Sequence, residues 1–386
     1  METRKQALGD LTVIEFASFA AGPCVGKYLA NHGAYVVKVE SRRALDGFRT
    51  HYPPFKDNIV GVNRSGVFAM NNDGAKSVEV DLKTPQGLAR ARELVARADV
   101  VIENFTPGTM ARLGLGYPEL RALNPRLVML STCNLGQSGP RAQHPGFGSQ
   151  LTSLCGFTSL IGTADRTPAI VYGPYIDYIA VGFAYIAILA ALEFRRRTGR
   201  GQYVDLAQYE GGVHFVAPGI LQSQLAGTSP GRCGNQDETA APHNAYPCAE
   251  TDSWCVISVH DDDEWRRLIE ALGSPAWAQS GRFATQLARQ ESAAELDRLL
   301  AAETIHYDAL SLMEMLQRHR VHAARVNNMR ELFSDPQLQH REHWALVNHP
   351  EVGQHHVPMP AYQLVDTPRL TATAPPLLFD DSPRGQ

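Results

Sequence analysis

One carboxylate, Asp177, opens a stretch without a charge, residues 178–192. Behind it stand Glu193, the arginines Arg195, Arg196 and Arg197, and the loop 198–202 (TGRGQ). A lone acid at the start of an apolar helix has two readings. It caps the helix, because first-turn amides and the helix dipole favour negative charge there. Or it reacts: a carboxylate can serve as a nucleophile that splits one acyl transfer into two easier steps. The turn 20–23 (AAGP) is a second candidate. Amides between a strand and a helix are fixed in advance and suit an oxyanion, although an ordinary tight turn has the same composition. The histidines at 340, 343, 349, 355 and 356 lack partnered ligand spacing, so no metal is expected.

The elements that must position these groups alternate. Residues 11–16, 35–40, 78–82, 100–103 and 127–132 read as strands. Residues 23–32, 86–97 and 118–123 read as helices, the first closed by Gly33. Another strand, 203–206, follows the Asp177 helix. This pattern predicts an α/β fold with a Rossmann-like, largely parallel sheet covered on both faces. Ligands of such sheets bind outside the carboxyl ends of the strands. The uncharged stretch is shorter than the roughly 20 apolar residues of a membrane span and carries tyrosines and Gly182, so a core helix is expected. Near Pro218 the pattern changes. Residues 230–247 read as linker and loop, 254–259 as a strand, and 261–272, 293–301 and 307–318 as helices. The large domain is placed at 1–224, and 225–325 forms a smaller α+β domain.

Composition sets limits. The chain has 386 residues, 44% of them hydrophobic, which supports a sizeable core and two domains. A net charge of −4 gives no footprint for nucleic acid. The first residues contain no apolar stretch of the signal-peptide kind. The 6 cysteines form no CxxC pair and read as reduced, buried thiols, so a cytoplasmic protein without membrane attachment is expected. Neither GxGxxG nor GxxxxGK[ST] occurs.

Several segments occur together in a characteristic order: 8–16 (LGDLTVIEF), 21–23 (AGP), 33–40 (GAYVVKVE), 76–83 (KSVEVDLK), 98–108 (ADVVIENFTPG), 112–114 (RLG), 124–128 (NPRLV), 136–140 (GQSGP) and the Asp177 helix. In this set the chain resembles the family III CoA-transferases, the CaiB/BaiF group of formyl-CoA transferase, carnitine CoA-transferase and alpha-methylacyl-CoA racemase. The likeness covers most of residues 8–210 and is looser at 334–338 and 374–378.

The resemblance implies that Asp177 is the nucleophile of a CoA-transferase that moves CoA from an acyl-CoA to a small carboxylic acid. The route is an aspartyl anhydride and then an enzyme–CoA thioester. It implies an oxyanion and acyl pocket at Ala20, Ala21 and Phe147. CoA contacts are implied at Arg42, Val80, Lys83, Asn104, Phe105 and Arg112, with Arg43 as a substitute for Arg42. Coenzyme A thioester is substrate, and no cofactor is bound permanently. Residues 326–386 should return to the large domain, and the chain should form an interlocked homodimer. Three departures narrow the reading. Formyl-CoA transferases carry glutamine at the Ala20 position and tyrosine at the Phe147 position. Racemases use the histidine of a glycine-histidine-aspartate triplet where this chain has Gly146, Phe147 and Gly148, and phenylalanine carries no proton. A racemase, and a non-catalytic CoA-binding protein, are the alternatives. The apolar turn 16–21 suggests room for a bulky or apolar acyl group.

Overall fold

The computed structural model describes residues 6–379. Two compact units divide it. The larger contains the residues up to 158, 170–229 and those from 336 on; the smaller contains 159–169 and 230–335.

The larger unit is built on strands β1 (Thr12–Phe16), β2 (Tyr35–Glu40), β3 (Ala75–Glu79), β4 (Val100–Glu103), β5 (Val128–Cys133) and β6 (Tyr203–Ala207). All pair in parallel, in the order β3-β2-β1-β4-β5-β6. The order reverses between β1 and β4, so the crevice for a ligand opens beyond Phe16 and Glu103. Alternate residues of each strand serve opposite faces. Val13, Val36, Val100, Ile102, Val128 and Leu130 pack under helices α1 (Ala21–Asn31) and α5 (Tyr175–Thr198). Ile14, Val37, Val101 and Met129 pack under α2 (Pro85–Ala96) and α3 (Tyr117–Leu123). A short helix, α4 (Gly148–Leu154), precedes α5.

Helix α5 has 24 residues, long and apolar enough to cross a membrane by length and composition. The expectation that length excludes a span is therefore corrected. What marks α5 as a core helix is its buried stripe, Ile176, Ala180, Val181, Ala184, Ile188 and Ala191. The third strand is also displaced: it runs over Ala75–Glu79 rather than 78–82. Residues after Val80 leave the sheet because Asp81 closes a turn, accepting from the Lys83 amide at 3.0 Å and, through its carbonyl, from the Thr84 amide. The C-terminal segment belongs to the larger unit. Leu370 donates to the Asn31 carbonyl, and the Phe379 amide donates to Ser77.

The smaller unit has strands β7 (His243–Pro247), β8 (Trp254–Ser258) and β9 (His322–Arg325) in one antiparallel sheet. Helices α6 (Asp262–Ala271), α7 (Ala293–Thr304) and α8 (Ala309–Arg318) cover it. Their core gathers Tyr246, Ile257, Trp265, Leu268, Leu296 and Leu312. Two strands lie where none was expected: β7, inside the stretch read as loop, and β9, just after the last expected helix; β8 falls within the expected strand 254–259. Segment 159–169 joins this unit because Gly162 accepts from the Gly234 amide at 2.8 Å and Arg232 binds the Thr163 carbonyl.

Candidate active site

The turn after β1 is held from three sides. The Asn104 amide accepts from Ser18 N–H at 3.0 Å and donates to the Ser18 carbonyl at 2.7 Å. Asp46 accepts from Phe19 N–H at 3.0 Å. Lys38, fully buried in β2, binds Glu15 at 2.8 Å, Asp46 at 3.0 Å and the Ala17 carbonyl at 2.7 Å. The register that sets Glu15 beside Lys38 creates this pair. Burial raises the Glu15 carboxyl, and Lys38 opposes the rise. Phe19 adopts φ +63°, a strained value for a bulky residue.

Beyond that turn α1 begins with Ala21, Gly22 and Pro23. The amides of Ala20, Ala21 and Gly22 have no partner among the described residues. Gly22 is required here: a β-carbon on it would stand 2.4 Å from that of Ala17. The three amides sit at the carboxyl rim of the sheet, where an anion is expected.

Asp177 lies in the first turn of α5, three residues past Pro174. That turn is on the same rim, because α5 runs back along the sheet to feed β6. No hydrogen bond or ion pair reaches its carboxylate among the described residues. Burial pushes its pKa up to about 7. Asp177 is therefore no side-chain cap. Removal from water outweighs the dipole, since no donor compensates for the lost hydration.

Phe147 and Gly148 connect the β1 turn to Asp177. The Phe147 ring meets Phe19 edge-on at 6.2 Å, and Phe19 meets Tyr52 at 6.0 Å and Phe48 at 5.5 Å. Gly148 follows directly. A β-carbon there would stand 2.9 Å from Asp177 Oδ1 and 2.6 Å from Pro174 Cβ. On α1, the buried Cys24 donates to Asn71 at 2.8 Å, and its thiol is pushed up to about 12, mainly by burial, with Asp177 among the lesser causes. Asp177, the β1 turn and Phe147 thus form one site.

The residues expected at CoA follow the carboxyl ends of β2, β3 and β4. Arg42 is exposed, paired with Glu79 at 3.0 Å and stacked on Phe379 at 4.6 Å. Arg43 pairs with Asp81 at 3.4 Å. Lys83 is exposed in the β3–α2 turn, two residues before α2. Val80 is buried in the core, and its amide is bonded to the Glu40 carbonyl; only its carbonyl is left for a ligand. Both ends of the Asn104 amide are committed to Ser18. Phe105 packs on the core, its amide held by Glu103 at 2.9 Å. Arg112 is exposed and bonds within its own turn, to Thr109 at 2.7 Å. Five cysteines are buried, but Cys233 is exposed, which corrects the expectation of buried thiols throughout.

Sequence reasoning missed Gly148, Lys38 and Asp46. A lysine within a strand reads as solvated, and a glycine's tight contact depends on an approach from elsewhere in the chain. The one available signal was the glycine at 148, where racemases carry aspartate.

The family model for CoA-transferase family III matches residues 8–382. The chain is 39% identical over 348 residues to a succinyl-CoA–D-citramalate CoA-transferase of Chloroflexus aurantiacus, covering 90% of this chain and 85% of that one. It is 36% identical over 342 residues to a succinate–glutarate CoA-transferase of Agrobacterium fabrum, covering 88% and 85%. A crystal structure of a CaiB/BaiF family protein from Brucella suis superposes with a TM-score of 0.89 at 32% identity, covering 97% of both chains. On this match of nearly the whole sequence and of its fold, the chain belongs to CoA-transferase family III.

Proposed function

We propose that the chain transfers CoA from an acyl-CoA to a free carboxylic acid, with Asp177 as covalent nucleophile. One observation carries the reading: a carboxylate without a hydrogen bond or ion pair, partly buried on the rim where ligands of such sheets bind. An undersolvated carboxylate is a better nucleophile than a hydrated one. Asp177 attacks the acyl-CoA carbonyl, a mixed anhydride forms, and CoA leaves as its thiolate. The thiolate then attacks the Asp177 carbonyl, releasing the donor acid and leaving an Asp177–CoA thioester. The acceptor carboxylate repeats both steps in reverse, and Asp177 is regenerated as a carboxylate. The amides of Ala20, Ala21 and Gly22 are the donors for the oxyanion.

Arg42, Lys83 and Arg112 are the cations proposed for the CoA phosphates. Asn104 and Phe105 serve by shaping the loops beside them. The names of the relatives support succinyl-CoA as donor and a short dicarboxylic acid as acceptor. An interlocked homodimer is part of the proposal. Its support is the outward face of α5 and the helix Ala217–Ala226, where Phe183, Ile186, Leu221 and Leu225 are exposed. The racemase reading is disfavoured by Phe147, which offers no second acid or base.

The test is a matrix of donors and acceptors: succinyl-CoA and acetyl-CoA against dicarboxylic and aromatic acids, with products read by mass spectrometry. New acyl-CoA should form at the expense of the donor thioester. No exchange with any pair, or loss of the thioester to hydrolysis alone, contradicts the proposal.

A further inference from the structure

The smaller unit carries a cavity of about 770 Å³ on the open face of β7–β8–β9. Strand register dictates its lining. His243 pairs with Ser258, and Ser258 with His322, so the three side chains form one cross-strand row. The next row on the same face is Ala245, Val256 and Ala324. Tyr246, Cys255 and Ile257 alternate with these and enter the core instead. One end of the cavity is therefore polar and the other apolar.

The polar end is preset. His243 Nδ1 lies 2.6 Å from the Asn235 carbonyl, which only accepts, so Nδ1 carries the proton. His322 Nδ1 lies 2.7 Å from Glu264, a buried carboxylate that also accepts from the amides of His260 and His322. Both rings are thereby oriented with Nε2 free. Arg320, which also lines the cavity, sits at φ +57° with no partner for its guanidinium among the described residues. A free guanidinium matches a carboxylate in shape and charge. The volume is that of a small-molecule site.

We propose that this cavity binds an organic monocarboxylate. The carboxylate lies against Arg320, bridging water donates to it and to the acceptor Nε2 of each histidine, and an apolar body lies on Ala245, Val256 and Ala324. Phosphate alone would leave the apolar rows unused, and a neutral molecule would leave Arg320 unpaired. The inference concerns residues of the smaller unit alone and does not depend on the role of Asp177.

The experiment is calorimetric titration of the full chain with benzoate and with its neutral twin benzamide. Benzoate should bind, and benzamide should bind at least tenfold more weakly. Arg320→Gln and, separately, Val256→Asp should each weaken benzoate at least tenfold. Both positions are exposed, and unchanged thermal unfolding checks that the variants are folded; His322→Gln replaces either one that is not. Absence of benzoate binding, equal binding of benzamide, or variants that bind benzoate as the wild type does would overturn the proposal.

Discussion

Asp177 Oδ1 lies 2.9 Å from the point where a β-carbon on Gly148 would stand. The start of α4 and the start of α5 touch at this place, and only a residue without a side chain fits between them. Pro174, with its Cβ 2.6 Å from the same point, closes the other side. The carboxylate is thus located by packing rather than by hydrogen bonds.

Gly148→Ala should move Asp177 out of line with the acyl carbonyl. A displacement of about 1 Å costs on the order of a hundredfold in rate. The expected result is a kcat lowered about a hundredfold, with CoA affinity within about threefold of wild type. A variant with wild-type kcat would show that the contact yields freely.

The pKa of about 7 at Asp177 sets the pH profile. Only the ionised carboxylate attacks. With acyl-CoA well below saturation, kcat/KM should rise tenfold per pH unit below about 7 and level off above it. A profile flat from pH 5 to pH 8 would contradict the raised pKa.

The same shift predicts stability. Asp177 holds its proton more tightly in the folded chain than in the unfolded one, where the value is near 3.8. Below that value both states are protonated. Between about 4 and 7 only the folded state keeps the proton, so stability falls as pH rises, and the loss is complete above 7. Asp177→Asn lacks this penalty. Its advantage over wild type in chemical denaturation should widen by about 2 kcal/mol from pH 4 to pH 8, after allowance for partial exposure. An advantage that stays constant or shrinks would contradict the burial argument.

Lys38→Met leaves Glu15 and Asp46 buried without their cation. Removal of one partner of such a pair costs about 3–5 kcal/mol. Urea denaturation should show that loss, and transfer should fall because the Ala17–Phe19 turn loosens. A loss under about 1 kcal/mol would mean that the two carboxyls take up protons instead.

Much of the larger unit was legible because its strands are runs of β-branched residues. Residues 35–40 and 100–103 coincide with β2 and β4. β3 was misplaced because Val78 and Val80 look like one strand, whereas Asp81 forces a turn. β7 was hidden by the asparagine and prolines around it, since cross-strand pairing rather than propensity makes it a strand. At the site, Asp177 stood out as a charge before an apolar helix. Its environment did not: burial, which sets its pKa, arises from α1, α4 and α5 meeting in space. Lys38 was illegible for the same reason, as its partners come from β1 and from the loop after β2.

The most direct measurement is hydroxylamine trapping followed by peptide mapping. Hydroxylamine cleaves anhydrides and thioesters but not free carboxylates. Enzyme treated with hydroxylamine and succinyl-CoA together should lose activity and carry a hydroxamate on Asp177; hydroxylamine alone should do neither. Turnover with no label at Asp177, or a label on another carboxylate, would contradict the covalent role assigned to this residue.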